Sequence, residues 1–316
     1  MLSKYRNVQP NVIRVLENSL DKNRLSHAYL FEGPKGTRKF EIAIETARVL
    51  LCPDSCGTCN VCRSIDAMSH PNVIEISPDG TSIKKGQIKS LISELNKTSL
   101  VEGPRIYIIN HIDKMTLSAA NSLLKYFEEP HDNIYAILIT ENVGQILPTI
   151  LSRAQVLTFK KVSPEFVREE LLKMGIKDEF AYIAPLVTNN IDEAVLLCDS
   201  EEFGQMLDII YELGNIIANK YHTGLIFFKE KGEFINRANV ELFINLLMHY
   251  YKDILNYQMN HELSFPFDRS LKTMRNIPQH EVMSNLDFIL ASSASLRYNP
   301  NINLMLDRIL AKLDWR

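Results

Sequence analysis

An α/β domain built on a doubly wound parallel sheet, followed by an all-helical half, is the fold class predicted by this 316-residue sequence. Three observations carry that expectation. Between residues 28 and 160, short apolar runs alternate with stretches whose apolar residues recur at helical spacing, and such alternation builds a parallel sheet. A glycine-led turn, Gly33-Pro34-Lys35-Gly36, joins the first apolar run to the first helical stretch. Beyond Phe159 the periodicity is helical throughout.

In chain order, Tyr29-Leu30-Phe31 is the first strand, and Phe40 to Leu51 the first helix, with Ile44, Ala47 and Leu51 on one face. Between them, Gly33-Pro34-Lys35-Gly36-Thr37-Arg38-Lys39-Phe40 has the outline of a phosphate loop, G-x-x-x-x-G-K-[S/T]. In that motif the second glycine lets the backbone approach phosphate, the lysine supplies charge and the hydroxyl binds Mg²⁺. Here Lys39 is kept, Arg38 stands in place of the glycine, and Phe40, which cannot ligate a metal, stands in place of the hydroxyl. A second apolar strand, Ile106-Tyr107-Ile108-Ile109, ends in Asn110-His111, where such folds place an acidic metal ligand. Without a carboxylate there, the strand end neither holds Mg²⁺ well nor activates water. An α/β domain that never bound nucleotide is the other reading of these two segments.

Cys52, Cys56, Cys59 and Cys62 place four thiols within eleven residues, with Pro53, Asp54, Gly57 and Asn60 supplying the turns that let them converge. That spacing suits a tetrahedral zinc ion held by four thiolates at about 2.3 Å, a closed and therefore structural site. Close-set disulfides would be strained, and a redox role for one Cys-x-x-Cys pair is the remaining alternative. No Lys, Arg or aromatic residue lies within the segment, so it has no nucleic-acid signature of its own. Cys198, alone in an apolar helical stretch, reads as a core residue.

Lys84, Lys85 and Lys89 cluster at the start of a helix expected over Gln87 to Asn96, suited either to a phosphate backbone or to solvent. Ser118 to Pro130 reads as a further helix stopped by its proline. Ile134 to Thr140 is a buried parallel strand, followed by Leu147-Pro148-Thr149-Ile150-Leu151-Ser152-Arg153. Val162-Ser163-Pro164-Glu165 marks a joint, with Ser163 capping a helix and Pro164 in its first turn. Three domains are expected: 1–160 α/β with the cysteine insertion, 161–205 a small helical lid, and 206–316 a helical domain with periodic stretches at 203–219, 240–257 and 282–295. Tyr250 and Tyr251, in Met248-His249-Tyr250-Tyr251, fit either an interface or the core.

The formal charge of −3 gives no global drive toward nucleic acid. The amino-terminal residues lack the apolar segment of a signal peptide and no apolar run reaches spanning length, so a cytoplasmic protein without a membrane partner is expected.

Ser26-His27-Ala28-Tyr29-Leu30-Phe31-x-Gly33-Pro34, the cysteine segment, Asn121-Ser122-Leu123-Leu124-Lys125-x-x-Glu128-Glu129-Pro130 and Leu147-Pro148-Thr149-Ile150-x-Ser152-Arg153 follow one another in an order that resembles a known family. It is the AAA+ subunits of the bacterial DNA polymerase III clamp loader, most closely the delta-prime branch. The motifs cover about residues 1 to 160; beyond them the resemblance is to helical character and to Asn301-Ile302-Asn303-Leu304 before an apolar last helix. Motor subunits of this family keep an intact loop and acidic strand end, whereas the delta-prime branch often lacks them. The resemblance implies a lid, a collar domain that holds a ring, and zinc on the four cysteines. It also implies an arginine finger at Arg153, in a Ser-Arg-Cys word whose Cys is Ala154 here. Arg153 would reach the ATP of a neighbouring subunit, a role suited to a planar, permanently charged group. The lid's nucleotide-facing arginine is matched by Asp192, and a sensing residue falls within Thr140-Glu141-Asn142.

The reading is therefore an ATPase-inactive clamp-loader subunit, not an enzyme alone. Its partners would be the delta and tau/gamma subunits and, through the complex, the sliding clamp and primer-template DNA. The degenerate loop (Gly33, Gly36, Arg38, Lys39, Phe40) and strand end (Asn110, His111) would turn over no ATP. The alternatives are an active ATPase motor and a zinc-containing DNA-binding module.

Overall fold

The computed structural model describes residues 2–22, 24–52, 54–97, 101–127, 133–264 and 277–314, and these form two compact units, Met1–Val162 and Ser163–Arg316. The first unit carries the sheet: β1 Ala28–Glu32, β2 Val73–Ile76, β3 Arg105–Ile109, β4 Ile134–Thr140 and β5 Gln155–Thr158. All pairings are parallel, in the order β2-β3-β4-β1-β5. The chain leaves β1, crosses to the far edge, returns strand by strand to β4, and then steps over β1 to β5. The carboxyl ends of β1 and β4 thus flank the point where the order reverses, which is where sheets of this kind hold ligands.

Successive strand residues point to opposite faces, so a sheet covered on both sides needs strands apolar at nearly every position. Tyr29, Phe31, Ile106, Ile108, Ile137 and Ile139 pack on one face with Val12, Ile13 and Leu16 of helix α1 (Pro10–Asp21) and Ile42, Ala43 and Ala47 of α2 (Lys39–Leu51). The short α3 (Asn60–Asp66) adds Ile65 to this layer. Ala28, Leu30, Tyr107, Ile109, Ala136 and Leu138 face α4 (Lys85–Leu95) and α5 (Leu117–Phe127). Ile150 of the single-turn α6 (Pro148–Leu151) joins that second layer. Arg105, at the start of β3, donates to the carbonyls of Glu94, Leu95 and Lys97 and so satisfies the carboxyl end of α4.

The helix expected from Gln87 begins two residues earlier, at Lys85, because the Gln87 carboxamide accepts from the backbone of Lys84 at 2.9 Å and closes the first turn. Of the helix expected to end at Pro130, the structure describes Leu117–Phe127; Glu128, Glu129 and Pro130 lie outside the described residues, as does Pro53. Among the elements that went unread in the sequence are α1, α3, whose Asn60 was expected in a turn, the half-covered edge strand β2, and β5, a short edge strand with only Leu157 buried.

The second unit is helical: Pro164–Lys173, Asp178–Ile183, Ile191–Asp199, Glu201–Ala218, Gly224–Lys231, Val240–Gln258, Gln279–Ser295 and Ile302–Asp314. Ser163, Asn190 and Ser200 each cap the helix that follows, accepting from Phe166, Asp192 and Phe203. The helix begun at Ser200 runs unbroken past residue 205, so the break nearest the expected lid boundary is at Ser200. Tyr250 and Tyr251 are buried with Phe203, Phe243 and Ile244 and so serve the core, and Cys198 is likewise buried.

One ionic network ties the back of the α/β unit together. Glu45 of α2, 2% exposed, pairs with Lys4 and Arg48, and Arg48 also pairs with Asp66 at the end of α3. Burial pushes the Glu45 carboxyl up, but the hydrogen bonds from Lys4 and Arg48 outweigh it and hold it at about 2, below the ordinary 4.5. A depressed carboxylate contributes stability that is whole above its unfolded pKa and fades as pH falls through the folded one. The stability gap between wild type and Glu45→Gln is therefore expected to be constant above pH of about 4.5 and to shrink toward pH of about 2. Denaturant unfolding across that range measures it, and a gap that does not vary with pH would remove Glu45 from the account.

Candidate functional site

The turn after β1 follows the path of a phosphate loop. Gly33 sits at φ 149°, and a Cβ there would stand 2.4 Å from the Phe159 carbonyl oxygen, so no other residue fits. Gly36 is at φ 78°, and Arg38, where the motif's second glycine belongs, adopts φ 63°, ψ 28°, the left-handed conformation for which glycine is favoured. The glycine is gone but its backbone conformation remains. The Arg38 guanidinium turns to Glu41 at 2.6 Å.

Lys39 is 7% exposed and folded back on the loop. Its ammonium donates to the carbonyls of Gly33 at 2.7 Å and Pro34 at 2.6 Å and to Thr37 Oγ1 at 3.3 Å. Burial lowers its pKa, partly offset by the negative charges of Glu141, Glu41 and Asp113. The cation that would meet a phosphate is thus satisfied by the loop's own oxygens. Phe40 packs its ring against the α1–α2 layer of the core, so a side chain that would face a metal in an intact motif serves burial instead.

At the end of β3, the Asn110 amide continues the ladder to the Ile76 carbonyl at 2.8 Å, and His111 takes φ 53° as the chain turns into a short 3₁₀ segment, Ile112–Lys114. This segment carries a carboxylate that sequence reasoning missed. Thr140, fully buried at the end of β4, donates its hydroxyl to Asp113 Oδ1 at 2.8 Å and accepts from the Asn142 amide at 3.0 Å. This acidic group lies four residues past Ile109, where only the turn at His111 could have signalled it. Within Thr140-Glu141-Asn142 it is Thr140 that points into the strand-end cluster.

The four cysteine sulfurs converge. Cys52 Sγ lies 4.0 Å from Cys56 and 3.8 Å from Cys59, and Cys56 lies 4.0 Å from Cys62. Thiolates about 2.3 Å from one tetrahedral centre stand about 3.8 Å apart, so the cluster has the dimensions of a four-sulfur metal site. Cys52 ends α2, Cys59 caps α3 and Cys62 lies within it, with the Cys62 amide 3.5 Å from Cys59 Sγ. Backbone amides of Thr58 and Cys59 bring the exposed Cys56 down to about 6, while burial pushes Cys62 up to about 12. A bound cation would supply the charge that Cys62 needs to ionise.

Arg153 is exposed, just past α6, with one Nη donating to the Thr149 carbonyl at 3.2 Å. The register pairs Tyr29 with Gln155 and Glu32 with Thr158, so Arg153 precedes β5 at the end of the sheet opposite the loop. Three residue steps of β5, about 10 Å at about 3.3 Å per residue, and two more separate Arg153 from Thr158. Arg153 therefore stands at the end of the sheet away from its own phosphate-type loop. Lys84, Lys85 and Lys89 are exposed at the start of α4, Lys84 beside Asp79 at 3.1 Å, and Asp192 is exposed in the first turn of its helix.

A parallel sheet in this order, with a glycine-led loop from a central strand into a helix and a helical unit following in the sequence, defines an AAA+ type α/β fold. The family pattern described as "DNA polymerase III, delta subunit" matches residues 8–163. The DNA polymerase III subunit delta' of Bacillus subtilis (strain 168) is 33% identical over 97% of this chain and 96% of its own length. That of Pseudomonas aeruginosa is 33% identical over 40% of this chain and 41% of its own. The B. subtilis subunit tau is 30% identical over 50% of this chain, but only 29% of its own length. The chain belongs to the DNA polymerase III delta' family.

The Lys39 contacts yield a direct test. Lys39→Met keeps the bulk and strands the Gly33 and Pro34 carbonyls, and is expected to destabilise the protein by about 1–3 kcal/mol. A lysine awaiting a phosphate would instead be neutral or better removed, so an unchanged or raised melting temperature would contradict the inward-facing lysine.

Proposed function

We propose that this chain is a ring-organising subunit of the DNA polymerase III clamp loader, inactive as an ATPase itself, that lends Arg153 to the ATP of a neighbouring subunit. The observation that carries the first half is Lys39, whose ammonium is hydrogen-bonded by the carbonyls of its own loop. Phe40 in the core and the carboxamide of Asn110 at the strand end support it further, because neither can hold Mg²⁺ as a carboxylate or hydroxyl would. The second half is supported by the placement of Arg153: exposed, at the far end of the sheet, between α6 and β5. An arginine delivered across a subunit boundary makes hydrolysis depend on correct assembly.

In this reading the delta and tau/gamma subunits are the direct partners, and the sliding clamp and primer-template DNA are engaged through the complex, in the cytoplasm. Among the described residues no helix is long and apolar enough to cross a membrane. The helices from Ser163 to about Ser200 would serve as the lid and those beyond it as the collar. Zinc is the metal proposed for Cys52, Cys56, Cys59 and Cys62, since four sulfurs with no open position suit a structural zinc ion. Its role would be to fasten the turn between α2 and α3.

In a loader rebuilt from its other subunits and this chain, Arg153→Ala is expected to lower clamp- and DNA-stimulated ATP turnover, by about 10³ at the site it serves. Gel filtration must first show equal assembly, and full turnover in an assembled ring would sink the finger. The zinc assignment is checked by elemental analysis of the purified chain. One zinc ion per chain, lost in Cys62→Ser, is expected, and a chain free of metal with an unaltered melting temperature would refute it.

A further inference from the structure

β5 stands at the edge of the sheet, so alternate backbone groups along it face a side where, among the described residues, no strand lies. Phe159 donates toward β1, to the Glu32 carbonyl at 2.7 Å; Lys160, one residue on, directs its N–H and C=O the other way. Both meet a single side chain. Gln9 accepts from the Lys160 amide at 3.0 Å through Oε1 and donates to the Lys160 carbonyl at 2.7 Å through Nε2. The same Nε2 lies 3.4 Å from the carbonyl of Thr37, in the phosphate-type loop.

A carboxamide carries the same donor and acceptor as a peptide unit, so Gln9 acts as one rung of a missing strand. It is 2% exposed, and its backbone is fixed at the head of α1 by bonds from its amide to Tyr5 and from Ile13 to its carbonyl. Thr37 is in turn tied to Pro34 at 2.9 Å and to Lys39. Gly33 at the other end of the loop lies against Phe159. Loop and β5 exit are therefore joined at two points, one of them made by a residue about 150 positions away in sequence.

We propose that Gln9 is a positioning residue, whose carboxamide fastens the lead-in to the helical unit, residues 160–162, to the loop, so that the two move as one piece. This rests on reading the chain as a ring subunit that holds its shape without nucleotide. In such a subunit protein groups must fix the direction in which the chain leaves the sheet, and Gln9 is the group that does so.

Amide hydrogen exchange on the full chain tests it. Gln9→Leu keeps the bulk and removes both hydrogen-bonding groups. The Lys160 amide is then expected to exchange about tenfold faster or more, with the amides of residues 36–38 accelerated in parallel and Ile108 in the sheet unchanged. Gln9→Glu keeps the acceptor and loses the donor; Lys160 should stay protected while residues 36–38 still loosen. An unaltered Lys160 amide in Gln9→Leu, or equal acceleration at Ile108, would overturn the proposal. In a rebuilt loader that incorporates Gln9→Leu fully, stimulated turnover is expected to fall severalfold, and undiminished turnover would refute a positioning role. Failure of the wild-type chain to enter a loader would count against the ring-subunit reading alone, because the exchange experiment needs no partner.

Discussion

β1 is hydrogen-bonded on both sides and buried on both faces, and the rest of the α/β unit takes its bearings from it. Its pairing with β4 and β5 fixes which residues stand at each end of the sheet. Its carboxyl end passes straight into Gly33, where close packing on Phe159 admits no side chain. The loop, the buried threonine at the end of β4 and the exit of β5 are neighbours because three parallel strands end together. The same register sends Arg153 to the other end. Parallel pairing thus separates two kinds of chemistry along one axis, a cation withdrawn into its own loop and a cation held out to solvent.

Much of this was legible in the residues. Apolar runs that satisfy both faces of a sheet announced β1, β3 and β4, and the cysteine spacing announced a cluster whose sulfurs do converge. The capping role of Ser163 was readable because a hydroxyl before proline leaves little else for a helix start to be. What could not be read had physical reasons. β2 and β5 are edge strands, buried on too little surface to show a strong pattern, and β5 has only Leu157 fully covered. Asp113 lay hidden because its partner, Thr140, is 27 residues away and is brought to it only by the pairing of β3 with β4. Gln9 was invisible for the same reason at greater range. An amide that finds its peptide partner across the whole α/β unit leaves no local trace in sequence.

Three buried charges of the α/β unit are met by groups fixed in place: Lys39 by loop carbonyls, Glu45 by Lys4 and Arg48, Arg105 by the end of α4. Lys85 and Lys89 lie exposed in the first turns of α4, and Arg153 is exposed with one Nη on the Thr149 carbonyl.

Arg38 holds a left-handed backbone although the residue that makes it easy is absent. The shape of the turn is therefore maintained by what it packs against, Gly33 on Phe159 above all. Packing outlasts chemistry in such a place, because a substitution that spoils a ligand contact is cheap to keep while one that spoils the path unravels the sheet. A motif outline in a sequence can then record a constraint on folding, and taken alone it says nothing of nucleotide turnover.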